Sequence, residues 1–264
     1  MIIDVNACLG PFAFRRLRHN TAASLLALMD EKKIDRAAVS SAGAITYRNA
    51  QAGNEELAEE VKGHRDRLIP IAVINPAYAG WRDDLKICRE EFGMAGVRLY
   101  PQWHRWDLSS RAGLDLVNEA AGLGMVVSIP IRVEDRRGQS WLVDVPDVPL
   151  DRVAAAVKAC PKARFLLLNG NQYAASPLGR KDGGLPANYW IEISRLSALQ
   201  EDEIGVLIRN LGADRLVFGS GMPFSDPDPA LLKLEVLAAG EEDKEKIRWR
   251  NAGGLLDPGR RRDP

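Results

Sequence analysis

Polar side chains follow an apolar run near the start of this chain. Ile2, Ile3 and Val5 form the run, and Asn6 and Cys8 come at its end, two positions apart. Side chains two apart on a β-strand point the same way, so we expect the amide and the thiol to project together from the carboxyl end of the first strand. An amide orients a ligand through hydrogen bonds, and a thiolate can attack a substrate. Asn6 is therefore a candidate ligand-binding residue and Cys8 a candidate nucleophile.

Three later segments also place polar residues at the ends of apolar runs. Arg98 and Tyr100 share the parity of one predicted strand, and the Arg98 guanidinium suits a substrate carboxylate. Charged side chains are seldom buried unpaired, so a structural ion pair between Arg98 and Glu192 is the alternative, and both interpretations stay open. Asn169 ends another apolar run, and Ser194 follows Glu192 at a spacing of two. We predict that Arg98, Tyr100, Asn169 and Ser194 contribute to a ligand site.

Acid–base or nucleophilic chemistry has few candidates in this sequence. A Cys8 thiolate requires a base or a cationic neighbour, and His104 is the only histidine assignable to that role. A buried, inert thiol is the favoured alternative for Cys8. Glu192 would act as a general base if it were desolvated, although a structural ion pair is favoured for it. Cys8, His104 and Glu192 are thus the catalytic candidates, and the catalytic residues stay unassigned.

These residues need a scaffold that brings the ends of separate strands together. Short β-branched or aliphatic runs alternate with amphipathic helical patterns along the chain. Strands are predicted at residues 2–5, 36–40, 68–74, 95–100, 125–129, 164–168, 189–193 and 215–218. Helices are predicted at residues 22–32, 55–62, 82–91, 111–122, 150–159, 201–210, 229–239 and 242–250. Thr21 and Asn54 stand where the first two helices need N-caps.

Eight strand–helix repeats predict a parallel sheet. In a chain of 264 residues, eight strands suit a closed (β/α)8 TIM barrel better than an open doubly wound sheet. The continuous apolar run at 165–168 agrees with a sheet that is covered on both faces. The predicted fold class is therefore α/β, a single (β/α)8 TIM barrel, in which the carboxyl ends of the strands and the loops after them form the functional face.

The composition excludes several classes of function. Lys+Arg and Asp+Glu are equal at 36 each, so no net charge indicates nucleic acid or an anionic membrane as a partner. No stretch approaches the roughly 18 uncharged residues of a membrane span, and Asp4 interrupts the apolar start, so we expect neither a membrane segment nor a secretory leader. Three cysteines fit reduced thiols and a cytoplasmic location. The basic tail at 259–264 is predicted to be disordered.

The first strand and several later segments resemble one known family. The stretch 4–10 reads Asp-Val-Asn-Ala-Cys-Leu-Gly. It is similar to the opening strand of the amidohydrolase-2 branch of the amidohydrolase superfamily, TIM-barrel metal-dependent hydrolases in which this strand reads Asp-x-His-x-His-Leu-Gly. The segments 96–101 and 214–220 resemble the fourth and eighth strands of that family. The resemblance covers nearly the whole chain in the family's order and implies that residues 1–258 form an amidohydrolase-like TIM barrel.

The resemblance also implies that the family's chemical groups have been replaced. The five positions that carry its metal ligands and catalytic aspartate are occupied here by Asn6, Cys8, Pro130, Asn169 and Gly221. A hydrolytic metal site needs about three or four His, Asp, Glu or Cys ligands, and Pro and Gly offer no such side chain. The chain holds three histidines in all. We therefore predict no metal site and no cofactor.

Three functions follow from these observations. The main prediction is a degenerate amidohydrolase-like barrel that lacks the family metal site and binds a small carboxylated molecule, or a partner, at the carboxyl-terminal barrel face. The alternative is a metal-independent hydrolase of C–O, C–N or C–C bonds that uses rebuilt residues of the mouth. A further alternative is a structural subunit of an active hydrolase complex. Whether the chain is an enzyme stays open, as does its assembly as a homo-oligomer or with a partner hydrolase.

Overall fold

Eight β-strands alternate with α-helices along the chain in a computed structural model that describes residues 1–198 and 201–256. The strands are β1 (Ile3–Leu9), β2 (Arg36–Ser41), β3 (Leu68–Val73), β4 (Gly96–Arg98), β5 (Val126–Pro130), β6 (Phe165–Leu168), β7 (Tyr189–Glu192) and β8 (Leu216–Val217). The helices are α1 (Ala22–Glu31), α2 (Ala50–Glu60), α3 (Trp81–Glu90), α4 (Arg111–Gly122), α5 (Leu150–Ala159), α6 (Glu203–Leu211), α7 (Asp228–Val236), α8 (Glu241–Glu245) and α9 (Asn251–Leu256). A π-helical segment, Lys246–Arg250, joins α8 to α9.

The strands form one parallel sheet that closes on itself. They pair in chain order from β1 to β8, each with its sequence neighbour. The backbone of β1 then bonds to the residues after β8: Val5 N donates to Phe218 O at 3.0 Å, and Gly221 N donates to Asn6 O at 2.9 Å. The predicted fold class, a single (β/α)8 TIM barrel, is therefore confirmed.

Two apolar clusters hold the barrel together, one on each side of the sheet. The larger lies between the sheet and the surrounding helices, where Leu25 of α1 packs near Val39 of β2. The other fills the barrel itself with side chains from β1, β2, β3, β5, β6 and β8, and Leu255 of α9 joins it near Ile3 at the amino-terminal end. Removal of this apolar surface from water is the main force that stabilises the closed sheet.

Of the two helix N-caps predicted from the sequence, one is confirmed and one is wrong. Thr21 caps α1, as predicted, and forms a capping box with Ser24. The predicted cap Asn54 is wrong, because α2 begins earlier and Asn49 caps it. The buried Asn54 amide instead donates to Val73 O at 2.9 Å and accepts from Val73 N at 2.7 Å. Its hydrogen bonds with the end of β3 are a tertiary contact that the local pattern did not show.

The first strand is longer than predicted and is interrupted by a bulge. It extends to Leu9, so Asn6 and Cys8 lie within β1 and not beyond it. The pairing with β2 shifts register between Asp4 and Ala7, which is the mark of a β-bulge. Val5 packs inside the barrel while Ala7 packs against the helices. The bulge therefore changes which backbone groups of β1 face the interior.

Two predictions concern the ends of the chain and its surroundings. The tail at 259–264 lies outside the described residues, which leaves its predicted disorder and the domain limit at residue 258 as predictions. Within the described part of the chain, no helix is both long and apolar enough to cross a membrane.

Candidate functional site

Polar side chains at the mouth of the barrel form two separate clusters. The first, here called the arginine cluster, lies at β1, β2, β4 and β5 and consists of Cys8, Ser40, Arg98, Tyr100 and Ser128. The second, the glutamate cluster, lies at β1, β6, β7 and β8 and consists of Asp4, Asn6, Asn169, Glu192, Ser194 and Ser220. Both use the bulged strand β1, so they share one structural support.

The Arg98 guanidinium organises the arginine cluster. It donates to Val5 O and Ala7 O, both at 2.9 Å, from its two terminal nitrogens. One of these nitrogens also donates to Ser40 Oγ at 3.0 Å, and Nε donates to Ser128 Oγ at 3.3 Å. Arg98 is only 1% exposed. Its hydrogen bonds therefore tie the bulged part of β1 to β2 and β5.

The alternative of an ion pair between Arg98 and Glu192, one of the two interpretations left open for Arg98, is wrong. Among the described residues, no carboxylate oxygen lies within 4.0 Å of the Arg98 guanidinium. Backbone carbonyls of the β1 bulge take the place of the carboxylate, because they bring partial negative charge to the same side of the barrel. Glu192 is held by other groups on the opposite side.

Cys8 and His104 form hydrogen bonds with different groups and not with each other. Cys8 Sγ lies 3.5 Å from Ser40 Oγ and 3.7 Å from the Arg98 guanidinium, and the residue is only 5% exposed. His104 Nε2 lies 3.3 Å from Ala44 O, and burial lowers the pKa of the imidazole. The histidine therefore contacts the loop after β2 and not the thiol.

An aromatic group closes the mouth over the arginine cluster. The Phe12 ring stands edge-on to Trp103 and to Phe224, with centroid distances of 5.9 and 4.9 Å. These rings belong to the same apolar cluster as Cys8 and Tyr100. Burial raises the pKa of the Tyr100 hydroxyl well above its ordinary value, and the neighbouring thiol adds to this effect. This half of the mouth is therefore closed to solvent.

Backbone donors hold the Glu192 carboxylate in the glutamate cluster. Oε2 accepts from Asn169 N at 2.7 Å, and Oε1 accepts from Ser194 N at 2.8 Å. Asn6 Nδ2 lies 3.4 Å from Oε2. Glu192 is fully buried. Such N–H donors stabilise an ionised carboxylate inside a protein, which matches a structural role for this side chain.

Asp4 is a second buried carboxyl group of the same cluster. Its Oδ1 accepts from Asn6 N at 2.8 Å and from Ser220 N at 3.1 Å, and its Oδ2 accepts from Ser220 Oγ at 2.5 Å. Burial raises the pKa of Asp4 to about 7, and the nearby Glu192 charge acts in the same direction against the lowering effect of the hydrogen bonds. Asp4 therefore changes protonation near neutral pH.

Two glycines leave the space that the glutamate cluster occupies. A Cβ added at Gly219 would lie 2.5 Å from Glu192 Cγ, so the carboxylate fits only because this residue is glycine. Gly221 has φ +77°, and a Cβ there would lie 3.2 Å from Asn169 Oδ1. Asn169 itself adopts the left-handed conformation with φ 54°, which asparagine tolerates better than most residues. The end of β8 is thus shaped to fit the buried amide and acid.

An open cavity of about 430 Å³ lies over the glutamate cluster. Ser194 and Ser220 of that cluster form part of its wall. Basic side chains outnumber acidic ones around it. The charged residues that line it are Arg132, Arg137, Arg195 and Lys233 with Asp135 and Asp226.

The arginines of this cavity are only partly satisfied by protein groups. Asp135 pairs with Arg137 at 2.9 Å and with Arg195 at 3.2 Å, and its hydrogen bonds with Arg137 lower the pKa of the Asp135 carboxyl. Arg132 pairs with Asp147. The Nε atoms of Arg132 and Arg195 are buried without a hydrogen-bond partner among the described residues. Buried donors are normally paired, so these two N–H groups are an exception that marks the wall of the cavity.

Lys233 reaches the same cavity from helix α7. Its Nζ donates to Ser194 O. No carboxylate oxygen of the described residues lies within 4.0 Å of it. Burial lowers the pKa of the Lys233 amine, with Glu192 opposing the shift and the Arg195 charge adding to it. The cavity therefore contains a lysine that no ion pair holds.

The predicted ligand residues divide between the two clusters. Ser194 lines the cavity, and its Oγ donates to Asn169 Oδ1 at 3.4 Å. Asn6 lies beneath, against Glu192, whereas Arg98 and Tyr100 lie in the closed arginine cluster. Their roles in ligand binding stay predictions.

The sequence interpretation missed Arg195 and Lys233. Arg195 directly follows Ser194 at the end of a predicted strand, so its position was a usable signal. Lys233 had no such signal, because a lysine within an amphipathic helix is normally on the solvated face.

The donor set of the mouth does not fit a hydrolytic metal site. Across residues 1–198 and 201–256, no group of three or more His, Cys, Asp or Glu side chains is placed to hold a metal ion. Both buried carboxylates of the glutamate cluster already accept N–H or O–H groups. Catalysis by a family-type metal has no ligand set in this part of the chain.

Comparison with known proteins extends the fold assignment. No family model matches the sequence, and no curated protein matches it. Among solved structures, a putative amidohydrolase from Staphylococcus aureus is similar with a TM-score of 0.72 and 15% identity, over 97% of this chain and 99% of that one. A dihydroxybenzoic acid decarboxylase from Polaromonas sp. JS666, with bound manganese and the inhibitor 2-nitroresorcinol, has a TM-score of 0.69 and 19% identity over 90% and 86% of the two chains.

A third similar structure has an organic acid in it. It is a probable 2-pyrone-4,6-dicarboxylic acid hydrolase from Acinetobacter baumannii with citric acid bound, and it has a TM-score of 0.67 and 12% identity over 97% and 98% of the two chains. At these identities the likeness shows a shared fold.

Proposed function

We propose that this chain is a degenerate member of the amidohydrolase-2 branch that binds a small carboxylated molecule in the cavity over the glutamate cluster. Membership is supported by the ordered sequence resemblance together with the likeness in fold over nearly the whole chain. Degeneracy is supported by Asn6, Cys8, Pro130, Asn169 and Gly221 at the family's chemical positions. The lack of a metal-binding group among the described residues agrees with it.

The observation that carries the proposal is a pair of cationic side chains in the cavity wall, Arg195 and Lys233, whose donors the protein satisfies only in part. Arg195 has a buried Nε without a hydrogen-bond partner, and Lys233 has no carboxylate within ion-pair distance in the described chain. A bound carboxylate adds acceptors for these two cations, and a hydrogen bond to a charged group contributes about 1.5–3 kcal/mol. A carboxylate is an anion that a guanidinium binds well, because its two oxygens match the fork of N–H groups.

Carboxylic acids occur in the names or bound ligands of two of the similar structures. Citric acid is bound to the Acinetobacter baumannii protein, and the Polaromonas enzyme is named for an aromatic carboxylic acid. Those ligands belong to those proteins. What we carry to the present chain is the carboxylate group of citric acid and of the dihydroxybenzoic acid in the name of the Polaromonas enzyme, whose bound inhibitor, 2-nitroresorcinol, has none.

The alternative of a metal-independent hydrolase receives less support from the geometry. Cys8 lies in the arginine cluster under the aromatic rings, His104 bonds to Ala44 O, and Glu192 lies on the other side of the barrel. A nucleophile and its base must lie within hydrogen-bond reach of each other or of a shared substrate. We therefore do not propose hydrolysis by this set.

Titration calorimetry with a panel of carboxylates tests the proposal. We expect one or more of acetate, succinate, benzoate and citrate to bind the wild-type protein, and Arg195→Met to weaken that binding about tenfold or more, because the cation and its free Nε are lost. Arg209→Met is the matched control, since Arg209 is an exposed arginine on α6 that pairs with Asp202. Equal binding by wild type and Arg195→Met, or no binding by any carboxylate, contradicts the proposal.

Metal analysis tests the degeneracy separately. Protein purified with added zinc or manganese is expected to contain no stoichiometric metal, because the mouth lacks a ligand set in the described chain. One tightly bound equivalent of either metal per chain would overturn this part of the proposal.

A further inference from the structure

We propose that Lys233 forms an imine with a ligand that carries both a carbonyl and a carboxylate, and that the natural ligand of the cavity is therefore a small 2-oxo acid. This inference rests on the proposed carboxylate site and adds to it the chemical class of the ligand.

The position of Lys233 is the first observation. Its Nζ lies at the wall of the 430 Å³ cavity, where it donates to Ser194 O. Ser194 and Arg195 are adjacent in sequence, so the amine and the guanidinium approach the cavity from neighbouring points. The Arg195 charge acts on the Lys233 amine, so the two cations lie near each other, and a 2-oxo acid carries a carboxylate for the first and a carbonyl on the next carbon for the second.

The electrostatic surroundings of Lys233 differ from those of an ordinary surface lysine. Lys32 Nζ lies 2.8 Å from Asp228, and hydrogen bonding to that carboxylate raises the pKa of Lys32. Lys233 has no such partner in the described chain, and burial lowers the pKa of its amine while Arg195 acts in the same direction. Only the neutral amine attacks a carbonyl, and desolvation beside a second cation is a known way to obtain it.

The reaction is balanced without any other reagent. The lone pair of Nζ attacks the carbonyl carbon, a C–N bond forms, and the carbonyl π electrons move to oxygen, which gains a proton lost by nitrogen. The C–O bond of this carbinolamine then breaks, its oxygen leaves as water with the second amine proton, and a C=N bond remains. The overall change is amine plus carbonyl to imine plus water, with no oxidant or reductant.

Borohydride trapping on the full chain tests the inference. The protein is incubated with pyruvate, glyoxylate or 2-oxoglutarate, reduced with sodium borohydride, digested, and analysed by mass spectrometry. We expect the reduced adduct of at least one of these acids on Lys233 at about ten times or more its yield on Lys158, an exposed lysine at the end of α5. Acetone, which lacks the carboxylate, is expected to label Lys233 about tenfold less.

The control variant separates charge from covalent chemistry. Lys233→Arg keeps the positive charge but forms no such imine, so we expect it to lose the adduct, whereas Lys158→Arg, outside the cavity, is expected to keep both the Lys233 adduct and the wild-type binding of succinate or citrate. Lys233→Met serves as a second variant, and circular dichroism checks that both fold.

The outcomes distinguish this inference from the proposed function. Carboxylate binding in calorimetry, combined with equal labelling of Lys233 and Lys158 or with none, overturns the imine and leaves the carboxylate site in place. Labelling by acetone as strong as that by pyruvate overturns the assignment to 2-oxo acids. Absence of all carboxylate binding overturns the proposed function and this inference with it.

Discussion

The arginine cluster and the glutamate cluster lie at the same end of one barrel and share strand β1, yet they use buried charge in opposite ways. Arg98 donates hydrogen bonds to Val5 O, Ala7 O and two serine hydroxyls, and aromatic rings pack over this cluster. Around the glutamate cluster, Arg195 and Lys233 face an open cavity and leave donors free. A buried cation is therefore not by itself a sign of a ligand site.

What separates the two regions is whether protein groups complete the hydrogen bonds. In the arginine cluster the bulge of β1 supplies carbonyl oxygens for the guanidinium, and the result is a closed structural network. In the glutamate cluster, backbone N–H groups donate to the Glu192 carboxylate. That carboxylate is therefore not paired with the cations of the cavity, and Nε of Arg195 has no acceptor among the described residues. Four predictions test this difference, from the largest expected effect to the smallest.

Replacement of Arg98 is expected to have the largest effect on stability. Arg98→Ala leaves Val5 O and Ala7 O without their guanidinium donor inside the barrel, and each unsatisfied buried group costs about 1–3 kcal/mol. We expect the free energy of unfolding to fall by about 4 kcal/mol in urea denaturation. Arg195→Ala is the matched variant in the other region and is expected to cost less than about 1 kcal/mol. Similar losses for both would remove the distinction between the clusters.

Asp4→Asn is expected to change how stability depends on pH. The pKa of Asp4 is about 7 in the folded protein against an ordinary 3.8, so the folded state binds this proton more tightly than the unfolded chain. Its contribution to stability is full below about pH 4, falls as pH rises, and is lost once pH has passed through about 7, an effect on the order of 4 kcal/mol.

The measurement is urea denaturation of both proteins between about pH 4 and about pH 8. The wild type should lose stability relative to Asp4→Asn as pH rises, and the two curves should converge at the acidic end. Parallel curves would show that Asp4 does not titrate in this range.

Glu192→Gln is expected to lower the free energy of unfolding by about 2 kcal/mol. The carboxylate accepts from Asn169 N and Ser194 N with different oxygens, and the amide of glutamine keeps only one acceptor and directs N–H groups at the other donor. The substitution also removes the charge that raises the pKa of Asp4. The pH at which stability falls should therefore shift downward, which a merely local packing defect would not produce.

Matched serine substitutions should give the smallest effect. Ser128 Oγ donates to Val97 O at 3.0 Å and accepts from Arg98, so Ser128→Ala is expected to cost about 1–2 kcal/mol. Ser194 Oγ makes one long hydrogen bond, 3.4 Å to Asn169 Oδ1, and Ser194→Ala is expected to cost less than about 0.5 kcal/mol while it weakens carboxylate binding. Thermal denaturation and calorimetry would measure the two effects, and a larger stability loss in Ser194→Ala would contradict the comparison.

Most of the fold was predictable because its signals are local. The alternation of apolar runs with amphipathic helices predicted all eight strands, and the structure places a strand at each predicted segment. Thr21 was predictable as a cap because its capping box is complete within four residues. Asn54 was not, because its hydrogen bonds go to Val73 in the next strand, and no local pattern distinguishes such an amide from a cap.

The candidate site was predictable only in part. Residues at strand ends, such as Ser194 and Asn169, were identified because a parallel barrel brings those ends to one face. Neither of the two interpretations left open for Arg98 included its backbone partners, because the carbonyl oxygens come from a β-bulge that no sequence pattern indicated. Lys233 was missed because it lies within a helix and lines the cavity only through the tertiary structure.

The sequence by itself determined the barrel and the polar residues at the ends of its strands, since each depends on residue type and order. Only the tertiary structure decided which charges are neutralised and which stay available. The state of each charge depends on the bulge in β1, the space left by Gly219 and the position of Lys233 on α7. All three involve contacts between residues far apart in the chain. Arg98 and Arg195 are the same residue type, and their surroundings alone make one a structural support and the other a candidate ligand contact.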